Sequence, residues 1–201
     1  MPAPRPDPQT PYSPKAEEIL LRANELLAAG GYNSFSYADI AVLVDVRKAS
    51  IHHHFPTKAD LVKATVVRHR EATRRGLQAL EQHCPHPLDR LGAYSGYWAE
   101  CIERSNPPIC ICAQLAAELP VVPAEVAAEV KGHFNDLQAW LASTIEEGAA
   151  LGRIRLSDTA TAEAAMFMAA IHGAMLAARA TGDAAVFRAI ATLAAQRLAG
   201  G

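Results

Sequence analysis

The stretch RKASIHHHFPTK, residues 47–58, sets three adjacent histidines between a basic pair and a Pro-Thr-Lys turn. Imidazoles can ligate a metal, relay a proton or donate hydrogen bonds to phosphates and base edges. Successive residues on a helix point about 100° apart, so His52, His53 and His54 cannot grip one metal together there. A basic, hydrogen-bonding surface uses Arg47, Lys48 and the imidazoles at once. A second reactive set follows in Cys101, Cys110 and Cys112. Each is either a nucleophilic thiol or a small buried hydrophobe. On one helix Cys110 and Cys112 point about 200° apart, which argues against joint metal ligation unless the segment is extended. His69 and His133 read as isolated residues near charged faces. There is no Gly-rich phosphate loop, no His-Glu-x-x-His pair and no nucleophile elbow. The expectation is a non-enzyme with no catalytic residues, no metal and no cofactor.

These residues must be positioned by helices, because no period-2 strand pattern occurs anywhere in the chain. Ile19, Leu20, Ala23, Leu26 and Leu27 form one stripe of a helix over 15–29, stopped by Gly30-Gly31. Ser36 caps a short helix over 37–44, with Asp39 in its first turn. Asp45-Val46 breaks the chain, and a third helix runs over about 47–55. Pro56 ends it and Thr57 caps a fourth helix from Lys58 toward Leu80. Longer helices follow over 88–104, 109–119, 124–150, 158–180 and 184–199. Asn106-Pro107-Pro108 opens the second of these and Ser157 caps the fourth. The fold class is all-α with about nine helices.

Composition narrows the class. Residues 1–80 hold eleven Lys and Arg against eight Asp and Glu, whereas the rest hold eight against thirteen. The basic excess in the first part suits a polyanion partner. Six prolines within the first 14 residues read as a disordered arm over 1–14. No apolar run reads as long enough to cross a membrane. Four cysteines in 201 residues suit free thiols in the cytoplasm.

Two short helices joined by a tight turn, after a longer first helix, make a helix-turn-helix. Residues 19–61 resemble the DNA-binding domain of TetR-type transcriptional regulators. The matching residues are Phe35, Ile40-Ala41, Val46, Lys48, Ile51, His53-His54-Phe55-Pro56, Lys58 and Leu61. Two positions depart from the family pattern, which has Gly where Asp45 stands and Tyr where His52 stands. The resemblance implies a three-helix DNA-binding domain over 15–60, and a larger helical effector-binding and dimerisation domain over 61–201. With Ile51 and Phe55 turned to the core, the third helix offers Arg47, Lys48, Ala49, Ser50, His52 and His53 outward, joined by Ser36, Tyr37 and Lys58. Lys58 and nearby helix-terminal N–H groups would hold a phosphate.

The resemblance also implies a ligand pocket and a two-fold dimer through the last two helices. Pocket candidates are Tyr94, Tyr97, Trp98, Cys101, Cys110, Gln114, Phe134, Trp140, Met168 and His172, with ordinary core packing as the alternative for each. Small and Met side chains over 162–180 suit close helix pairing. The dimer candidates are Met166, Ala170, Gly173, Ala177, Phe187 and Ile190. Partners are thus palindromic double-stranded operator DNA, a second copy and a small-molecule effector, with no membrane. The expected function is a repressor released by an inducer. Near Cys110 the sequence also resembles the oxidant- and electrophile-sensing branch, in which a cysteine opens this helix. That gives an alternative, a thiol switch at Cys110 beside the dipole-positive helix start that Asn106 would cap. A helical metal-binding protein or enzyme is a further alternative.

Overall fold

A computed structural model describes residues 12–104 and 109–200. Among these residues the chain is all-α, with nine helices: α1 Pro14–Gly30, α2 Tyr37–Leu43, α3 Lys48–His54, α4 Lys58–His83, α5 Pro87–Glu103, α6 Ile111–Ala116, α7 Ala124–Ala150, α8 Ala160–Thr181 and α9 Ala184–Ala199. A 3-10 turn, Tyr32–Ser34, links α1 to α2. The chain divides into two compact units. The first comprises residues up to Arg70 together with 111–131, and the second comprises 71–110 and 132–201.

In the first unit α1 supplies Ile19, Leu20, Ala23 and Leu27 to a core shared with Ile40, Ile51, Leu61 and Val62, all of them fully buried. These are the i, i+3, i+4 positions that the periodicity marks. Tyr12 and Ser13, inside the segment read as an arm, are ordered. Ser13 caps α1 by accepting from the Ala16 N–H at 3.2 Å, and the Tyr12 ring lies 6.0 Å from that of Phe55. Residues 1–11 lie outside the described residues.

In the second unit α8 and α9 form a hairpin turned by Gly182, whose φ of +68° is the left-handed conformation glycine favours. Arg90 ties the entry of α5. Its Nε donates to the Cys84 carbonyl at 2.7 Å, Nη2 donates to Pro85, and the guanidinium pairs with Glu147. Two boundaries and one reading of apolar length differ from the sequence reading. Thr159, not Ser157, caps α8, accepting from the Ala162 N–H at 3.2 Å. The helix read over 109–119 is the shorter α6, and the expected Asn106 cap lies outside the described residues. Finally, α8 is long and apolar enough to span a membrane by length and composition, which the run-length reading missed.

Candidate nucleic-acid interface and helical body

The α2–turn–α3 segment is set by short-range capping. Ser36 Oγ accepts from the Ala38 N–H, and the Ser36 N–H donates to Asp39 Oδ2 at 2.7 Å, a reciprocal capping box. Asp45 occupies the turn with φ +50°, a left-handed conformation that Asp tolerates better than most residues. The Val46 N–H then reaches back to the Ala41 carbonyl at 3.0 Å. Thr57 and Asp60 repeat the box at the start of α4, with Thr57 N–H donating at 3.0 Å and Asp60 N–H at 3.1 Å.

On α3, Ile51 and Phe55 are buried, four residues apart, and Arg47, Lys48, Ala49, His52 and His53 are exposed. Ser50 and His54 are half-buried. His52 lies edge-on to the Tyr37 ring at 4.7 Å, with Nδ1 3.1 Å from the Pro56 carbonyl. A carbonyl only accepts, so Nδ1 carries the proton in this contact. In a neutral ring Nε2 is then an acceptor. The exposed row can meet phosphates and base edges in the way a reading helix does.

Tyr37 and Lys58 differ from expectation. Tyr37 is buried, and its hydroxyl donates to the Phe55 carbonyl at 2.8 Å. Burial, with a smaller contribution from Asp60, pushes its pKa up to about 12. It is a strut between α2 and the end of α3 rather than a surface contact. Lys58 donates to the Phe35 carbonyl and sits over the Tyr32 and Phe35 rings, 4.9 and 4.4 Å from their centroids. Burial lowers its pKa, against the opposing pull of Asp39 and Glu118. Its charge is therefore engaged inside the unit. Lys15, which sequence reasoning passed over, does a related task by donating to the Val44 carbonyl at 3.3 Å, at the end of α2.

The second unit gathers many of the pocket candidates. Tyr94 and Trp140 are buried with ring centroids 6.1 Å apart, and Tyr97 packs edge-on to Trp98 at 5.3 Å. Burial raises the pKa of Tyr94, of Tyr97 and of the Cys101 thiol, which also bonds to Tyr97. Phe134 meets His172 at 5.2 Å, and Met168 is half-buried. Cys110 lies 3.7 Å from His133 Nε2, and both side chains are buried. His133 is thus no isolated surface histidine. Cys110 directly precedes α6, at the N-terminus of that helix, rather than standing in its first turn. The same placement removes the helical geometry used to set it against Cys112. Gln114 belongs to the first unit, where its amide donates to Glu118 Oε1 at 2.9 Å. Trp140 Nε1 and His172 Nε2 are buried without a hydrogen-bond partner.

Of the expected dimer residues, Met166 and Gly173 are exposed, and Ala170, Ala177 and Ile190 half-buried. Met166, Ala170 and Ile190 line a groove of about 230 Å³ between α8 and α9, with Leu193, which is 66% exposed. Phe187 is fully buried within the protomer and belongs to its core. Leu176, 51% exposed on α8, was missed because an Ala-rich helix has too little amphipathic contrast to reveal its outer face.

Residues 19–65 match the family model described as bacterial regulatory proteins, tetR family. Residues 87–193 match that of the tetracyclin repressor-like C-terminal domain. A TetR-family transcriptional regulator from Agrobacterium tumefaciens has 50% identity and a TM-score of 0.91, covering 92% of this chain and 97% of its own. The regulatory protein TetR from Rhodobacter sphaeroides, at 24% identity and TM-score 0.82 over 90% of this chain and 98% of its own, shares the fold. The transcriptional regulator AcuR of Cereibacter sphaeroides is 28% identical over 172 residues, 84% of this chain and 78% of its own.

Proposed function

Because this chain belongs to the TetR family of transcriptional regulators, whose members bind operator DNA as dimers and are not enzymes, we propose that it is a cytoplasmic repressor released from a palindromic operator by a small molecule. The observation that carries this reading is the surface of α3. Ile51 and Phe55 anchor the helix while Arg47, Lys48, Ala49, His52 and His53 stand exposed in one row. Two such helices related by a dyad would enter successive major grooves of a palindrome. The exposed α8–α9 face, with Met166, Gly173, Leu176 and Leu193, is suited to form that dyad. A ligand in the second unit that prefers one arrangement of the dimer would then shift operator affinity.

The test is selection of bound duplexes from a random pool, followed by a screen for small molecules that release the selected DNA. A palindromic consensus is expected, with protection on two half-sites. Enrichment of no sequence at moderate salt would overturn the reading.

A second reading rests on the Cys110–His133 contact. An imidazole within reach of a thiol can accept its proton, and a peroxide then converts the thiolate to a sulfenic acid with release of hydroxide. Adding an oxygen in a closely packed interior shifts its neighbours. Labelling rates for the four cysteines, measured with DNA binding before and after peroxide, decide it. If Cys110→Ser protein still releases DNA on oxidation, the switch is elsewhere.

A further inference from the structure

Glu118, in the turn after α6, reaches across the first unit to the α1–α2 connection, 86 residues away in sequence. Its Oε2 accepts from the Tyr32 backbone N–H at 2.8 Å. Its Oε1 accepts from the Gln114 amide at 2.9 Å, so the same carboxylate is held from α6. The Glu118 backbone is fixed in its turn, with its N–H bonded to the Leu115 carbonyl and its own carbonyl accepting from Val121 and Val122. The carboxylate occupies space that any residue but glycine would fill. A Cβ built on Gly31 would lie 1.6 Å from Oε1, and Gly31 has φ +83°. A buried Gly31 thus serves two needs at once, a left-handed backbone and room for this side chain.

What Tyr32 leads to gives the contact its consequence. Its ring lies under the Lys58 ammonium, which donates to the Phe35 carbonyl. Phe35 is followed by Ser36, the cap of α2, and Tyr37, the strut to the end of α3. From the Tyr32 amide to the end of α3 the path is hydrogen bonds, a cation–ring contact and three residues of backbone, Phe35 to Tyr37.

We infer that Glu118 is a positioning residue for DNA reading: its carboxylate ties the place of α6 to the placement of α2 and α3. An N–H···O bond of 2.8 Å weakens steeply when its atoms part by an ångström, so a small shift of α6 releases the connection. The inference rests on α3 being the DNA-reading helix, and it adds where α6 takes hold of that helix's support.

The experiment uses the full chain as wild type and as E118A, E118Q, G31A and Q114A. Hydrogen exchange of the Tyr32 amide reports the contact without DNA. Affinity for a duplex selected by the wild-type chain reports its consequence. In E118A the amide is expected to exchange about tenfold faster and affinity to fall about tenfold, the scale of losing a charge-assisted hydrogen bond. E118Q keeps an acceptor oxygen and should stay within about threefold of wild type in both readouts. G31A drives the carboxylate away and also strains a backbone that glycine alone adopts freely, so it should lose at least as much as E118A, and E118A/G31A should bind DNA no worse than G31A alone. Q114A, which loosens the carboxylate from α6, should change both in the same direction by less. Should E118A lose its helicity, Q114A and E118Q decide between the same outcomes. Unchanged Tyr32 exchange in E118A overturns the contact. Faster exchange with unchanged DNA affinity overturns the positioning role. A wild-type chain that selects no duplex fails the DNA reading itself, and the exchange experiment then still judges the contact.

Discussion

Around α2 and α3, polar side chains close on backbone: buried Tyr37 on Phe55, and half-buried Lys58 on Phe35 and Lys15 on Val44. In the second unit Trp140 Nε1, His172 Nε2 and Gln138 Oε1 are buried without a hydrogen-bond partner. Each such group costs roughly 1–3 kcal/mol that a partner would recover. The first arrangement fixes one geometry, as a surface that must match a DNA groove requires. The second leaves buried donors and acceptors without a partner in the fold.

The largest expected effect removes the symmetry on which the reading surface depends. Leu193→Glu places a charge on the exposed apolar face of α9. Burying it unpaired in a dimer interface costs several kcal/mol, so the protein should sediment as a monomer at micromolar concentration. Affinity for a palindromic duplex should fall by about a hundredfold or more, since each half-site then binds alone. A Leu193→Glu protein that remains dimeric would move the interface off this face.

Next in size is the double variant Arg47→Ala/Lys48→Ala. Both side chains are exposed, so stability should hold within about 0.5 kcal/mol. Loss of two phosphate or guanine contacts should weaken operator binding by about 10- to 100-fold and lower the salt slope by roughly two units. Lys58→Ala belongs to a different class, because its ammonium serves the Phe35 carbonyl. It should lower the melting temperature, and its effect on DNA should follow from that. Normal stability with a reduced salt slope would return Lys58 to the DNA surface.

The same contrast explains what could be read from the sequence. The capping boxes at Ser36 and Thr57, the Asp45 turn and the Ile51/Phe55 pair are legible because each is settled within four residues. The strut from Tyr37 joins residues 18 apart, and Glu118 meets Tyr32 over 86. No local pattern encodes such partners. Phe187 was assigned to the interface because Ala-rich α9 offers weak contrast between its faces, and packing within the second unit claims it for the core. Cys110 was placed on a helix because the Pro-Pro signal looked like a helix start, yet α6 begins one residue later at Ile111.

A smaller effect probes the body. Trp140→Phe removes the unpartnered indole N–H together with some buried volume. Relief of an unsatisfied donor offsets the cavity, so stability should change by less than about 1 kcal/mol. Release of DNA by an effector found in the screen should need a higher concentration, by about fivefold or more. A loss of several kcal/mol without any change in effector response would make Trp140 plain core.

The effect of Tyr37→Phe is modest at neutral pH, and it shrinks with alkalinity in a way that isolates the strut. Removing the hydroxyl leaves the Phe55 carbonyl without this donor at a cost of about 1–2 kcal/mol. That corresponds to roughly 2–8 °C in melting temperature for a chain of this size. The folded protein holds the Tyr37 proton up to about 12, because burial disfavours the phenolate and Asp60 opposes a second negative charge. An exposed tyrosine in the unfolded chain gives up its proton near pH 10. The raised folded value means that the native state binds more protons between the two. Stability from this group is therefore complete below pH 10 and is lost as pH rises toward 12. Tyr32, Tyr94 and Tyr97 are shifted the same way, so the wild-type curve sums all four tyrosines. The difference between wild type and Tyr37→Phe removes their share. Urea unfolding at pH 8, 10 and 11 should show the wild-type advantage shrinking as pH rises. An advantage that stays constant to pH 11 would mean that the Tyr37 proton is not held by the fold, and that α2 meets α3 through packing alone.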